Sequence, residues 1–162
     1  PYLEVQEDTR VVYTLRHYEP RAYALQPPPP ALAYPGEADL DGDGDFEPLG
    51  RGTLAALLDP LNAFRSQRAV PMAVTEFGAM RWEPGLGTYL RDQMIVMEQS
   101  SLAHAVWMWP PTSLAGWERD AFALTHGPDP DNHSPVEASA ALNVLRAQWA
   151  LNDRRPSNTN FQ

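Results

Sequence analysis

The segment Val70-Pro-Met-Ala-Val-Thr-Glu-Phe-Gly78 is a short apolar run that carries a lone carboxylate, Glu76, two residues before a glycine. An apolar run of this length without strict alternation is the pattern of a strand covered on both faces, as in a parallel sheet. Two similar runs flank it. Val11-Val-Tyr-Thr-Leu-Arg-His-Tyr18 runs into Glu19-Pro20, and His104-Ala-Val-Trp-Met-Trp109 is stopped by Pro110-Pro111. Long segments of helical character separate the three, so they read as successive βα units of one parallel sheet. In such sheets packing fixes the strand while its carboxyl end faces the active-site mouth, which makes Glu76 the first candidate for chemistry.

The expected strands are Arg10 to Tyr18, Val70 to Phe77 and Ala103 to Trp109. Between the first two, residues 19–52 carry Gln26 followed by four prolines and an acidic run from Asp39 to Asp45. Proline fixes φ and removes a donor, so the expectation is a long, extended surface loop at the rim of the site. Thr53 is positioned to cap a helix bearing Leu54, Leu57, Leu58, Leu61 and Phe64, with a kink at Asp59-Pro60. A second helix, Leu86 to Gln99, has Leu86, Tyr89, Leu90, Met94 and Met97 on one stripe, which reads as core. Ser134-Pro-Val-Glu137 has the form of a capping box with proline at the first helical position, so the last helix should start there and reach about Leu151.

A net charge of −9, with no basic cluster larger than Arg154-Arg155, excludes nucleic acid and anionic membrane as partners. A neutral polysaccharide is indifferent to that charge. No apolar run approaches the ~20 residues of a membrane span. With no cysteine in the chain, disulfides and thiolate chemistry are excluded and the redox compartment stays open.

Asp39, Asp41, Asp43 and Asp45 match the first half of a calcium loop, with Gly44 at the turn position. The twelfth position, which needs a bidentate Glu, is Gly50, so a true EF-hand is rejected. A structural calcium on these four carboxylates and a solvated acidic loop remain as alternatives.

The order of a strand ending in His17-Tyr18-Glu19-Pro20, a Tyr34-Pro35-Gly36 loop, a helix, Val74-Thr-Glu-Phe-Gly78, Arg81-Trp82, a helix, and a strand with Trp107-x-Trp109 resembles the C-terminal portion of glycoside hydrolase family 5, the cellulase family. The tail Arg155-Pro-Ser-Asn158 is also similar. The resemblance covers nearly the whole chain but only the last three strands of an eight-stranded barrel. It implies an α/β fold, the C-terminal part of a (β/α)8 TIM barrel with about three βα units, as one partial catalytic domain over residues 1–162. A complete barrel needs roughly 250 residues, so a chain of 162 beginning at Pro1 reads as a fragment.

The resemblance further implies a retaining hydrolase of β-linked glucan, with Glu76 as the nucleophile and no cofactor required. Retaining glycosidases use two carboxyl groups about 5–5.5 Å apart. The acid/base, from an Asn-Glu pair on an earlier strand, has no counterpart here, and Glu19 and Glu83 are the first substitutes to test. Tyr18 is expected to hydrogen-bond the nucleophile. The family's His-x-Tyr is Arg16-His17-Tyr18 in this chain, so Arg16 shares the Tyr18 face while His17 points away unless a bulge intervenes. His17 is therefore left between substrate contact and a structural role. Trp107 matches the tryptophan on which a sugar stacks. Trp109 extends that platform or packs in the core, and Trp82 lines a subsite or covers the rim.

The rival to a catalytic half-barrel is a non-catalytic barrel fragment, calcium-stabilised, acting as an association or binding module. In either case a complementary N-terminal half, from the same or another chain, is the expected partner beside the β-glucan. For the enzyme reading a secreted or periplasmic location is expected, and the lack of cysteine is compatible with it.

Overall fold

The computed structural model describes residues 5, 6, 8, 10–109 and 120–152. Trp117, in the polar segment after Pro111, and the tail beyond Asn152 lie outside these residues.

Three parallel strands form the main sheet: β1 (Tyr13–His17), β4 (Met72–Phe77) and β5 (Ala103–Val106), in the order β1-β4-β5. Tyr13 pairs with Met72 and His17 with Phe77, with a register shift between Leu15 and Arg16. On the other side Ala73 pairs with Ala103 and Phe77 with Val106. The strand carrying Glu76 is therefore central, as expected from three βα units. Each strand is shorter than expected from the sequence. Beyond Val106 the chain leaves the ladder, and Trp107 N–H donates to the Phe77 carbonyl at 2.7 Å.

The segment 19–52 corrects the expectation of a plain surface loop. It contains a short helix α1 (Arg21–Ala24) and an antiparallel hairpin of β2 (Gly36–Ala38) and β3 (Glu47–Leu49). Tyr23, Tyr34 and Leu49 are buried, and the rings of Tyr23 and Tyr34 pack with that of Tyr89, centroids 4.9–5.8 Å apart. Three aromatic rings remove enough apolar area from water to hold a proline-rich segment on the core, which the proline count concealed.

Helix α2 (Arg51–Leu57) breaks before α3 (Asp59–Arg68), at the expected Asp59-Pro60. Thr53 is not its cap. Gly50 takes that position in extended backbone, and the Thr53 hydroxyl donates to the Pro48 carbonyl. Leu54 and Leu58 reach the core, whereas Leu57 is exposed. Helix α4 (Leu86–Gln99) has the expected bounds, and its whole apolar stripe is buried against Val74 and Phe77. The last helix, α5 (Ala140–Trp149), starts later than the Ser134 capping box suggests. Pro135 forms a bridge with His126, and Val136 N–H donates to the Thr125 carbonyl, which holds that segment extended. Ser139 caps instead, accepting from Leu142 N–H at 3.1 Å.

Candidate active site

At the carboxyl ends of the strands, Arg16, Tyr18, Glu19, Arg21, Leu25, Glu76, Trp107 and Phe122 line an open cleft of about 490 Å³. The register shift after Leu15 sets Arg16 directly opposite Glu76, and alternation brings Tyr18 round to the same face. Both reach the carboxylate. The Tyr18 phenol donates to Glu76 Oε2 at 2.9 Å, and Arg16 Nε lies 3.0 Å from Oε1. The Arg16 side chain is 73% exposed and that of Glu76 21%. The anchors therefore differ, with a fixed phenol on one oxygen and a largely solvated guanidinium on the other.

Gly78 contributes space rather than a turn. A Cβ there would overlap the Trp107 carbonyl, so the glycine permits the close approach that sets Trp107 over the cleft. Gly78→Ala should cost about 1–3 kcal/mol of stability as the end of β5 is pushed away. A fall in Tm accompanied by a changed Trp107 environment in fluorescence would bear this out.

The other expected site residues lie elsewhere. His17 is 3% exposed on the opposite face, with Nε2 lacking a hydrogen-bond partner, and burial lowers its pKa. It does not line the cleft, which corrects the substrate-contact alternative in favour of the structural one. Trp109 is 55% exposed, but it packs against Trp149 beside the open edge of β5, centroids 6.1 Å apart. It does not extend the Trp107 platform, because the strand ends at Val106, and alternation with it. Trp82 lies on the rim outside the cleft, its Nε1–H donating to the Gln26 carbonyl at 2.9 Å.

Of the two substitute carboxylates, Glu19 lines the cleft, with Oε2 accepting Arg21 N–H at 3.0 Å at the start of α1. Glu83 is buried away from it. Its oxygens accept from Gln26, the backbone N–H at 3.1 Å and Nε2 at 2.5 Å, while Gln26 Oε1 receives the N–H groups of Ala31 and Leu32. Gln26 thus ties the proline-rich turn to the strand-end loop.

Burial pushes the Glu83 carboxyl from 4.5 up to about 7, against the pull of the Gln26 bonds. Between those values the folded protein keeps a proton that the unfolded chain has released. Stability should therefore fall as pH rises through this window, by up to about 3 kcal/mol. Thermal melts should give a higher Tm at pH 5 than at pH 8, and Glu83→Met should shrink that difference.

A second hub sits behind the rim. Arg81, almost wholly buried, donates to the carbonyls of Asp120 (2.9 Å), Gly127 (2.5 Å), Pro130 (3.0 Å) and Asp129, and its Nη2 reaches Asp120 Oδ2 at 2.9 Å. Asp120 Oδ1 is also met by His126 and His133 at 3.0 and 2.9 Å. Burial alone would raise the Asp120 carboxyl, but His133, Arg81 and His126 outweigh it and hold it below the usual range.

In the acidic turn between β2 and β3, Asp39, Asp41 and Asp43 bring carboxylate oxygens within 4.8 Å of one another, and Asp45 lies outside this group. Asp39 accepts the N–H groups of Gly42 and Gly44, Asp41 that of Asp43, and Asp43 that of Asp45. These turn bonds hold the three carboxylates close together.

The arrangement of strands and helices that carries this cleft has counterparts among solved proteins. The Clostridial cellulose synthase subunit Z from Clostridioides difficile superposes with a TM-score of 0.60 at 16% identity, over 88% of this chain and 43% of that one. A family 5 xyloglucan-specific endo-β-1,4-glucanase from a metagenomic library, solved with cellotriose, gives 0.60 at 13% identity over 90% and 38%. Cel5A of Thermotoga maritima, solved with mannotriose, gives 0.58 at 16% over 88% and 42%. The chain shares the fold of part of these α/β barrels. The chain spans well under half the length of these barrels, between 38 and 43%. No protein-family profile matches the sequence, and no curated protein does.

Neither the Pro-rich turn's Gln26 clamp nor the Arg81 hub follows from the local sequence pattern. For the second, the sequence carries only Arg81-Trp82, five residues past Glu76. Phe122 joins the cleft from a long polar segment and carries no sequence signal for doing so.

Proposed function

We propose that this chain is the nucleophile-bearing part of a retaining glycoside hydrolase that acts on β-linked glucan. The observation that carries the reading is the Tyr18 phenol on Glu76 Oε2 at the end of the central strand, in one cleft with Trp107. In this mechanism a Glu76 oxygen attacks the anomeric carbon, the glycosidic bond breaks, and a carboxylic acid from the missing part of the barrel protonates the departing oxygen. Water, deprotonated by that same group, then releases the sugar and regenerates Glu76. Oε1 is the attacking oxygen. Its partner Arg16 is exposed, and such an ion pair is worth about 0–1 kcal/mol, so an arriving sugar displaces it at little cost. Trp107 offers the ring a flat apolar face.

The complementary half supplies the acid and covers the open sheet. Val12 beside β1 and Trp109 and Trp149 beside β5 are exposed, and unpaired strand edges seek partners. The isolated chain should therefore give no hydrolysis of soluble β-glucan, and should associate with a complementary chain or with itself. A monomer cleaving at the rate of a complete family member would overturn this part of the reading. For the nucleophile, a barrel completed by the missing half should be inactivated by a 2-deoxy-2-fluoro-β-glucoside bearing a good leaving group. The expected result is one fluoroglycosyl unit on the peptide containing Glu76. A label on another carboxylate would move the nucleophile there.

A further inference from the structure

The Glu76 cleft holds more positive charge than hydrolysis of a neutral sugar uses. Two arginines, Arg16 and Arg21, line it together with two carboxylates, Glu19 and Glu76, so its wall is balanced in a chain whose net charge is −9. Both carboxylates are already engaged. Glu76 is met by Tyr18 and Arg16, and Glu19 accepts the Arg21 backbone N–H at 3.0 Å. The exposed Arg21 guanidinium makes no hydrogen bond or ion pair among the described residues.

The backbone that carries Arg21 is fixed from beneath. Tyr89 and Gln93, both buried on α4, donate to the Glu19 carbonyl at 2.8 and 2.9 Å, and the N–H groups of Tyr23 and Ala24 donate to the Pro20 carbonyl at 3.0 and 2.9 Å. Arg21 is thus a mobile stem on a rigid mount. Arg16 supplies the second cation. When a sugar takes its place at Glu76 Oε1, Arg16 keeps its charge and loses its partner. A hydroxyl offers such a group one acceptor, whereas a carboxylate offers two in the geometry of the guanidinium fork and cancels the charge.

We infer that the cleft selects a β-linked glycan that carries a carboxylate, a hexuronate unit among neutral sugars, held by Arg16 and Arg21. The inference rests on the proposed glycoside hydrolase reading and narrows its substrate class. A dense polyanion is disfavoured by the acidic surface as a whole. At physiological salt that repulsion is screened beyond about 8 Å, which leaves a single carboxylate to the two arginines beside it.

The test is calorimetric titration of the 162-residue chain with cellotriose and with cellotriose bearing one C6 carboxylate, each at low and at 0.5 M salt. Wild type is compared with Arg21→Ala, Arg21→Lys, the double variant Arg16→Ala/Arg21→Ala, and Arg68→Ala, all checked for folding by circular dichroism. Arg68 is exposed at the end of α3 and does not line the cleft, so it controls for the loss of one positive charge elsewhere. The wild type should bind the acidic trisaccharide about tenfold more tightly than the neutral one at low salt, with the preference shrinking at high salt. Arg21→Ala should remove much of that preference and the double variant all of it, while Arg21→Lys keeps part and Arg68→Ala changes little. Equal or weaker binding of the acidic sugar would overturn the inference and leave the hydrolase reading standing. A preference that survives the double variant, or falls as far in Arg68→Ala, would overturn it too, because the carboxylate would then be held elsewhere or by net charge alone. Binding of neither sugar would count against the hydrolase reading and the inference together.

Discussion

Glu76→Gln, made in a barrel completed by its missing strands, should remove turnover of aryl cellobiosides by roughly four orders of magnitude or more while leaving the fold unchanged. The amide is nearly the size of the carboxylate, so Tyr18 keeps an acceptor at Oε2's position if the carbonyl oxygen takes that side. What disappears is the charge that attacks the anomeric carbon. Azide supplied in solution can take over that role from the opposite side of the ring, and the product would be the inverted glycosyl azide. Activity like that of the wild type would end the case for Glu76. Tyr18→Phe makes a useful companion, since it removes one hydrogen bond and should lower kcat far less than the loss of Glu76 does.

The largest stability effect is expected at Arg81. Its guanidinium serves four backbone carbonyls and the Asp120 carboxylate while almost completely buried. Arg81→Met would leave those acceptors without their donor and Asp120 without its charge partner, a loss of about 3–5 kcal/mol. Arg81→Lys should fare little better, because an ammonium cannot span the same fork of acceptors. Urea unfolding gives the size of the effect. Hydrogen exchange should locate it in residues 120–135, and a uniform loss across the sheet would instead mean that Arg81 supports the whole core.

The three strands, the helix at Leu86–Gln99 and the position of Glu76 were legible in the sequence because each rests on local periodicity or on chain order. Parallel strands joined by long crossovers have few alternatives for pairing, so their order and direction follow. Arg16 and Tyr18 sharing a face follows from the two-residue repeat of a strand, and His17 facing away follows from the same rule. The His17 ambiguity remained because sequence cannot say whether a bulge lies just before it. The register shift does fall there, between Leu15 and Arg16, yet it leaves Arg16, His17 and Tyr18 alternating.

Where the reading failed, long-range contacts outweighed local signals. Thr53 and Ser134 both have the chemistry of caps, but Gly50 and Ser139 hold those positions because β3 and the His126–Pro135 bridge fix where each helix can begin. Trp109 turns to the sheet edge because β5 stops at Val106. The proline-rich segment is drawn inward by Tyr23 and Tyr34, whose partner Tyr89 is far along the chain.

The sequence by itself determined the parallel α/β class, the core stripe of α4 and the carboxylate at a strand tip, since strand and helix periods and crossover lengths are properties of consecutive residues. Only the tertiary structure decided that Arg16 and Tyr18 divide the two oxygens of Glu76, that Trp107 rather than Trp82 or Trp109 overlooks the cleft, and that Gln26 and Arg81 build the rim. Those arrangements depend on side chains from segments tens of residues apart, and their energy comes from burying groups against partners that no local pattern names.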